Sequence, residues 1–126
     1  MKLPQGFSLS AINCGIRKKG LDLGLIYCDN LASSVGFFTT AANPAYSLTF
    51  TKKNIAKPIK GVLVNSGNAN CYSHSSGLKD TEDIAQKLAK KLAVKQSNIL
   101  FCSTGIIGVK LPKKKMDALN RYSNRK

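Results

Sequence analysis

Acidic residues and histidine are scarce in this sequence, with six Asp+Glu and one His, and its four cysteines stand far apart. The cysteines fall at 14, 28, 71 and 102 with no Cys-x-x-Cys pair. Metal sites use closer paired spacing, and only His74 is present to help, so zinc is set aside, and so is a disulfide framework. Free, buried thiols are expected instead. No apolar run approaches the roughly 20 residues that a membrane helix needs. The opening residues, Met1-Lys2-Leu3-Pro4-Gln5-Gly6, lack the apolar core of a signal peptide. These features predict a soluble, cytoplasmic protein with no membrane partner. Neither glycine-containing polar stretch continues into Gly-Lys-Ser/Thr, which excludes a nucleotide P-loop.

What is present suits a globular chain. Its 126 residues make one domain or part of one, and 43% hydrophobic with 21% charged residues argues against disorder. Twenty Lys+Arg against six Asp+Glu give a net charge of +14, which suits a polyanionic partner. The distribution argues against dedicated nucleic-acid binding. Basic residues are scattered in short groups such as Arg17-Lys18-Lys19, Lys52-Lys53, Lys90-Lys91 and Lys113-Lys114-Lys115. Phe37-Phe38 and Phe101 sit inside apolar runs and read as core rather than stacking platforms. Lysine outnumbers arginine, whereas base readout favours arginine.

Periodicity sorts the chain into elements. Leu21, Leu23, Leu25 and Tyr27 alternate along "LDLGLIYC", predicting a strand over 21–28. "GFFTT", 36–40, is aromatic and β-branched, and reads as a second strand pairing back across a turn at Asp29-Asn30. Segment 45–53 fits a strand or a short helix. Val62-Leu63-Val64 forms a continuous apolar run typical of a strand buried on both faces, over 60–65. From residue 80 the period changes. Asp80 or Thr81 is a candidate helix cap, and Ile84, Ala85, Leu88, Ala89 and Leu92 recur at helical spacing through Ala93. A strand at 98–102 follows, so the order is strand, loop, helix, strand, with the two strands expected as neighbours in one sheet.

Both of those strands run into small polar residues. In α/β sheets ligands gather where strand C-termini release the chain. "NSGNAN" (65–70) and "STGIIG" (103–108) are therefore expected as two loops side by side, with backbone N–H groups free to point at an oxyanion or phosphate. Taken alone, each fits equally well a tight turn that needs Gly, Asn and Ser for its backbone angles.

Five stretches in fixed order add to this: "GF" at 6–7, "CGIRKKGLDLGLIYCD" at 14–29, "VGFFTT" at 35–40, "VNSGNAN" at 64–70 and "STGIIGVKLP" at 103–112. Together they resemble the N-terminal part of the bifunctional ornithine acetyltransferases, or glutamate N-acetyltransferases. The resemblance covers nearly the whole chain, thinning over 41–60 and after about 113, and the pair "NSGNAN" and "STGIIG" is its most specific part. It implies an α/β fold, a mixed sheet with packed helices, as the incomplete N-terminal portion of an ornithine-acetyltransferase-like (DmpA/OAT-like) fold. Members of that family cut themselves before a threonine, which then heads a second chain and acts as the acyl-accepting nucleophile. Acetyl passes from N-acetylornithine to that threonine and on to glutamate in arginine biosynthesis, with no cofactor. The family's oxyanion hole maps to Thr104 and Gly105, and the substrate-proximal loop to Asn65, Ser66, Gly67 and Asn68.

Departures from the pattern set further expectations. Where the family continues with Ala-Cys-Thr-Gly this chain has Cys71-Tyr72-Ser73-His74, and His74 is expected to face solvent. The cleavage segment and nucleophile belong beyond residue 126, since threonines 39, 40, 49, 51, 81 and 104 lack the cleavage context. One incomplete domain over 1–126 is expected, with 113–126 a basic, poorly ordered tail. The partners implied are the remainder of the acetyltransferase, bearing the nucleophilic threonine, and the substrates N-acetylornithine and glutamate. The competing reading is a non-catalytic module whose basic surface meets an anionic partner.

Overall fold

The structure, a computed structural model, describes residues 1–121. Four strands form one sheet in the order β1 (Phe7–Ile12), β2 (Leu23–Ala32), β3 (Ile59–Asn68) and β4 (Ile99–Ile106). β1 and β2 are antiparallel, as are β2 and β3, whereas β3 and β4 run parallel. Helix α1 (Tyr46–Asn54) precedes β3, helix α2 (Gly77–Lys91) joins β3 to β4, and a short helix α3 (Lys113–Met116) runs into a 3₁₀ turn over Asp117–Arg121. A helical crossover is what a parallel neighbour requires, so the pairing of β3 with β4 follows from α2.

Strand alternation decides which side chains meet α2. Leu23 and Leu25 of β2, Leu63 of β3, and Ile99 and Phe101 of β4 share one face, as their register pairs show. That face buries against Ile84, Ala85, Leu88 and Ala89 of α2, Phe50 of α1, and Leu111, Met116 and Leu119. Basic residues Lys87 and Lys90 of α2 stay outside, on its exposed side. After β4 the chain is tied back to α2 through Lys113, whose Nζ lies 3.1 Å from Asp80 and 2.9 Å from Asp83. The remaining residues of the basic tail, 122–126, lie outside the described residues.

The other face of the sheet carries no helix. Phe7, Leu9 and Ala11 alternate there with Ile26 and Cys28 of β2, Val62 and Val64 of β3, and Leu100, Cys102 and Thr104 of β4. Phe7 is 39% exposed, Leu9 50% and Ile26 38%. Leu100 is buried and Val62 and Val64 are half-buried, so the exposed apolar side chains among these lie on β1 and β2, a patch of the kind that meets another layer.

Several expectations need correction. "GFFTT" forms no strand: residues 33–40 are irregular, and Phe37 is almost fully exposed rather than core. β1 takes its place, because six consecutive register pairs from Phe7↔Cys28 to Ile12↔Leu23 occupy the outer edge of β2. Asp29 and Asn30 make no turn but lie inside β2, where Lys60 Nζ bonds the Asp29 carbonyl. Leu21 precedes β2 and is exposed. Helix α2 begins at Gly77, so Asp80 and Thr81 stand within its first turns instead of capping it. It ends at Lys91, ahead of Ala93, whose φ of 55° is outside helical space. The cysteines are free but not buried: Cys14, Cys28 and Cys71 are half-buried and Cys102 is exposed.

Gly77 shows how tightly the helices start. A Cβ there would stand 2.1 Å from the Tyr46 ring, so the two helix N-termini meet only because the side chain is absent. Gly77→Ala should lose about 1–3 kcal/mol by forcing that ring aside, despite alanine's better helix propensity. Gly24→Ala is the control, since a Cβ there meets only the Ser10 carbonyl oxygen at 3.7 Å. Urea midpoints should fall for the first and stay within about 0.5 kcal/mol for the second.

Candidate active site

The parallel strands stay in register to their ends. Asn65 pairs with Ser103, Ser66 with Thr104 and Gly67 with Gly105, before the ladder shifts at Asn68. The two polar stretches are therefore not loops beyond the sheet. Residues 65–68 and 103–106 are still strand, and the expected closeness of the two motifs is backbone pairing. Two glycines permit it. Gly105 has φ +130°, and a Cβ on it would stand 2.4 Å from the carbonyl carbon of Gly67 and 2.5 Å from the Asn68 nitrogen. Gly67 has φ +98°, and a Cβ on it would strike the Ile16 and Arg17 side chains at 2.8 Å. No L side chain fits either conformation without strain.

The asparagines hold this crossing from within. Buried Asn65 donates to the Asn68 carbonyl at 2.9 Å and accepts from Ser103 Oγ at 2.6 Å. Asn68 donates to the carbonyls of Val109 and Lys110 at 3.0 and 3.2 Å, and its Oδ1 accepts the Asn70 N–H at 2.8 Å. Asn70 in turn donates to Thr81 Oγ1 at 2.7 Å, reaching α2. These side chains are spent on the protein's own backbone and on the Ser103 and Thr81 hydroxyls, which fixes the course of 103–110. Sequence reasoning grouped Asn65 and Asn68 with the substrate-proximal loop; the structure turns both inward, leaving Ser66 and Gly67 partly exposed.

Thr104 differs from its neighbours. It is exposed, on the uncovered face of the sheet, and its hydroxyl makes no hydrogen bond among the described residues. Gly105 beside it is also exposed. A hydroxyl and a main-chain N–H at one strand end are suited to holding negative charge that develops on a carbonyl oxygen. His74 is exposed, with Nδ1 2.9 Å from Ser76 Oγ in the loop before α2. No cluster of His, Cys, Asp or Glu among the described residues could hold a metal ion.

A second group, to which sequence reasoning gave no role, braces the site. Asp22 is buried just before β2, and its two carboxylate oxygens accept the N–H groups of Cys14 at 2.7 Å and Arg17 at 2.8 Å. Its own carbonyl accepts the Ser66 N–H at 2.9 Å. This closes loop 13–22 over Gly67. Burial works against the charge on Asp22, but the donated N–H groups of Arg17, Cys14 and Ile16 outweigh it and hold the carboxyl below its ordinary 3.8. The Cys14 thiol is pushed the other way, to about 11, by burial and by the Asp22 carboxylate. The signal for this clamp was an acidic residue in a chain that has few, placed at a strand start.

A carboxyl whose pKa is lower in the folded chain stabilises it above the unfolded value and loses that contribution as pH falls through the folded one. Asp22→Asn should therefore unfold at lower urea than the wild type at neutral pH. The gap should hold constant down to the ordinary carboxylate value and close as pH drops below 3.8. Urea melts across that range check it. A gap independent of pH would mean that the shape of the side chain matters and its charge does not.

Taken together, a mixed sheet backed by helices, with two glycine-bearing strand ends crossing at an exposed threonine, defines an α/β protein whose candidate site lies at paired strand ends. Comparison with known proteins makes this specific. The ArgJ family matches residues 8–124, and the chain belongs to it. The arginine biosynthesis bifunctional protein ArgJ of Shouchella clausii is 39% identical over 115 residues, covering 89% of this chain and 28% of that protein. Its counterpart in Caldanaerobacter subterraneus is 38% identical over 120 residues, 92% of this chain and 29% of its own length. Among solved structures, ArgJ from Bacillus halodurans superposes with a TM-score of 0.88 at 31% identity, covering 93% of this chain and 63% of that one. Ornithine acetyltransferase from Mycobacterium tuberculosis, solved in complex with ornithine, gives 0.85 at 28% identity, covering 91% and 64%. This chain thus spans less than a third of the length of those curated relatives.

Proposed function

We propose that this chain is the N-terminal part of an acetyltransferase that moves acetyl from N-acetylornithine to glutamate, and that it contributes the oxyanion hole. The observation that carries the reading is the free Thr104 hydroxyl beside Gly105, held at the end of β4 by its pairing with β3. When a nucleophile adds to the acetyl carbonyl, the carbonyl oxygen gains the negative charge. Thr104 Oγ1–H and the Gly105 N–H donate to that oxygen, and they return to their resting state as the tetrahedral intermediate collapses. Prepositioned donors of this kind act mainly on the transition state, because the charge exists only there.

The nucleophile comes from the part of the enzyme that this segment lacks, the second chain headed by threonine. Two features support that. Matched relatives are more than three times as long as the segment they share with this chain. Thr104 also lies on the same apolar, helix-free face as Phe7, Leu9, Ile26 and Val64, so a layer covering that face would bring its residues against the Thr104 hydroxyl. The relatives' role in arginine biosynthesis, and the ornithine bound to the mycobacterial structure, support the choice of substrates.

By itself the chain should transfer no acetyl group, since an oxyanion hole without a nucleophile supplies only part of the barrier reduction. Co-expression with the remaining residues of the Shouchella clausii protein should restore transfer from N-acetylornithine to glutamate. In that complex Thr104→Ala should lower kcat by roughly 10²–10³-fold with little change in KM. Turnover by the isolated chain, or a fully active Thr104→Ala complex, would overturn the proposal. Stable binding of the chain to an anionic polymer, with no complementation, would favour the basic binding module instead.

A further inference from the structure

β4 is the last strand of its sheet, and an outer edge usually leaves N–H and C=O groups unpaired. Here one side chain occupies that edge. Thr51 of α1 is buried, and its Oγ1 donates to the Phe101 carbonyl at 2.7 Å while accepting the Phe101 N–H at 2.9 Å. A single hydroxyl thus does for Phe101 what a fifth strand would do. In a parallel ladder the N–H and C=O of one residue point to the same side and alternate along the strand. Phe101, Ser103 and Gly105 therefore share the outer edge, and the anchored residue is four positions before the Gly105 N–H.

We propose that Thr51 is a positioning residue for the Thr104–Gly105 end of β4. β3 fixes one side of that strand through the ladder, and Thr51 fixes the other, so the strand end can neither slide nor tilt away from α1. Loss of the hydroxyl leaves two buried backbone groups unpaired and frees β4 to shift in search of water. The catalytic consequence rests on the oxyanion reading of Thr104, whereas the structural consequence does not.

The test compares Thr51→Val, which keeps the shape, with Thr51→Ser, which keeps the hydroxyl. Amide exchange and amide chemical shifts are read by NMR on the 126-residue chain, and kcat and KM on the co-expressed complex. Thr51→Val should speed Phe101 exchange on the order of tenfold and move the Thr104 and Gly105 amide signals. Its kcat should fall on the order of tenfold with KM nearly unchanged, and Thr51→Ser should restore both. If Phe101 exchanges faster while the Thr104 and Gly105 signals and kcat keep their wild-type values, the hydroxyl only closes the edge and the proposal is overturned. If the wild-type complex shows no turnover, or Thr104→Ala is fully active, the oxyanion reading fails while the amide signals still decide the positioning role. Should Thr51→Val not fold, Thr51→Ala, which leaves the same groups unpaired without the valine methyl, takes its place against Thr51→Ser.

Discussion

Gly105 has no space for a side chain, and much of the structure is arranged around that fact. The backbones of β3 and β4 approach so closely there that a methyl group would overlap main-chain atoms of Gly67 and Asn68. Close approach lets Ser66 and Thr104 pair at the end of the sheet, and it sends the chain onward through 106–112 along a path held by Asn68. The same path brings Leu111 into the core and Lys113 onto Asp80 and Asp83 of α2. A local steric requirement is thereby transmitted to the helix layer.

Polarity inside this region has a consistent logic. Asn65, Asn68 and Asn70 are buried, and together they bond four backbone carbonyls or N–H groups, the Ser103 hydroxyl and the Thr81 hydroxyl. Buried amides are costly unless paired; every side-chain nitrogen and oxygen of these three except Asn70 Oδ1 has a partner, which specifies one course for the chain where no ladder would. Asp22 does the same for loop 13–22 with a carboxylate. The exposed Thr104 stands apart because its hydroxyl has been given none of this work.

How much of this could be read beforehand depends on the range of the interaction that decides it. Ile84, Ala85, Leu88 and Ala89 gave α2 by their spacing, and Val62-Leu63-Val64 with Ile99-Leu100-Phe101 gave two neighbouring strands, since each signal is local and strongly periodic. The edge strand β1 carries an alternation of its own, Phe7, Leu9 and Ala11 against Ser8 and Ser10, though "GFFTT" is the more aromatic stretch. β-propensity describes fitness for a pleated surface, and residues 36–40 found no free edge to join. The roles of the asparagines were not legible at all. An Asn near a site is equally suited to a ligand or to its own backbone, and only the fold chooses. Thr51 was hidden for a similar reason, because its partner lies 50 residues away.

The helix-free sheet face ties these observations together. Its apolar side chains gain nothing from α2, which packs on the opposite side, and a single domain seldom leaves such a face in water. Helices on one face and an apolar second face describe half of a layered architecture. Thr104 sits at the end of that bare face, so the site is open in the direction from which another layer would arrive. The core built by Leu63, Phe101, Ile84 and Leu88 lies on the opposite side and fixes the strands that carry Thr104 and Gly105. Phe7, Leu9 and Ile26 stay exposed on the side where Thr104 lies. A layer docking on the exposed apolar side chains would, in this geometry, also reach the Thr104 end of β4.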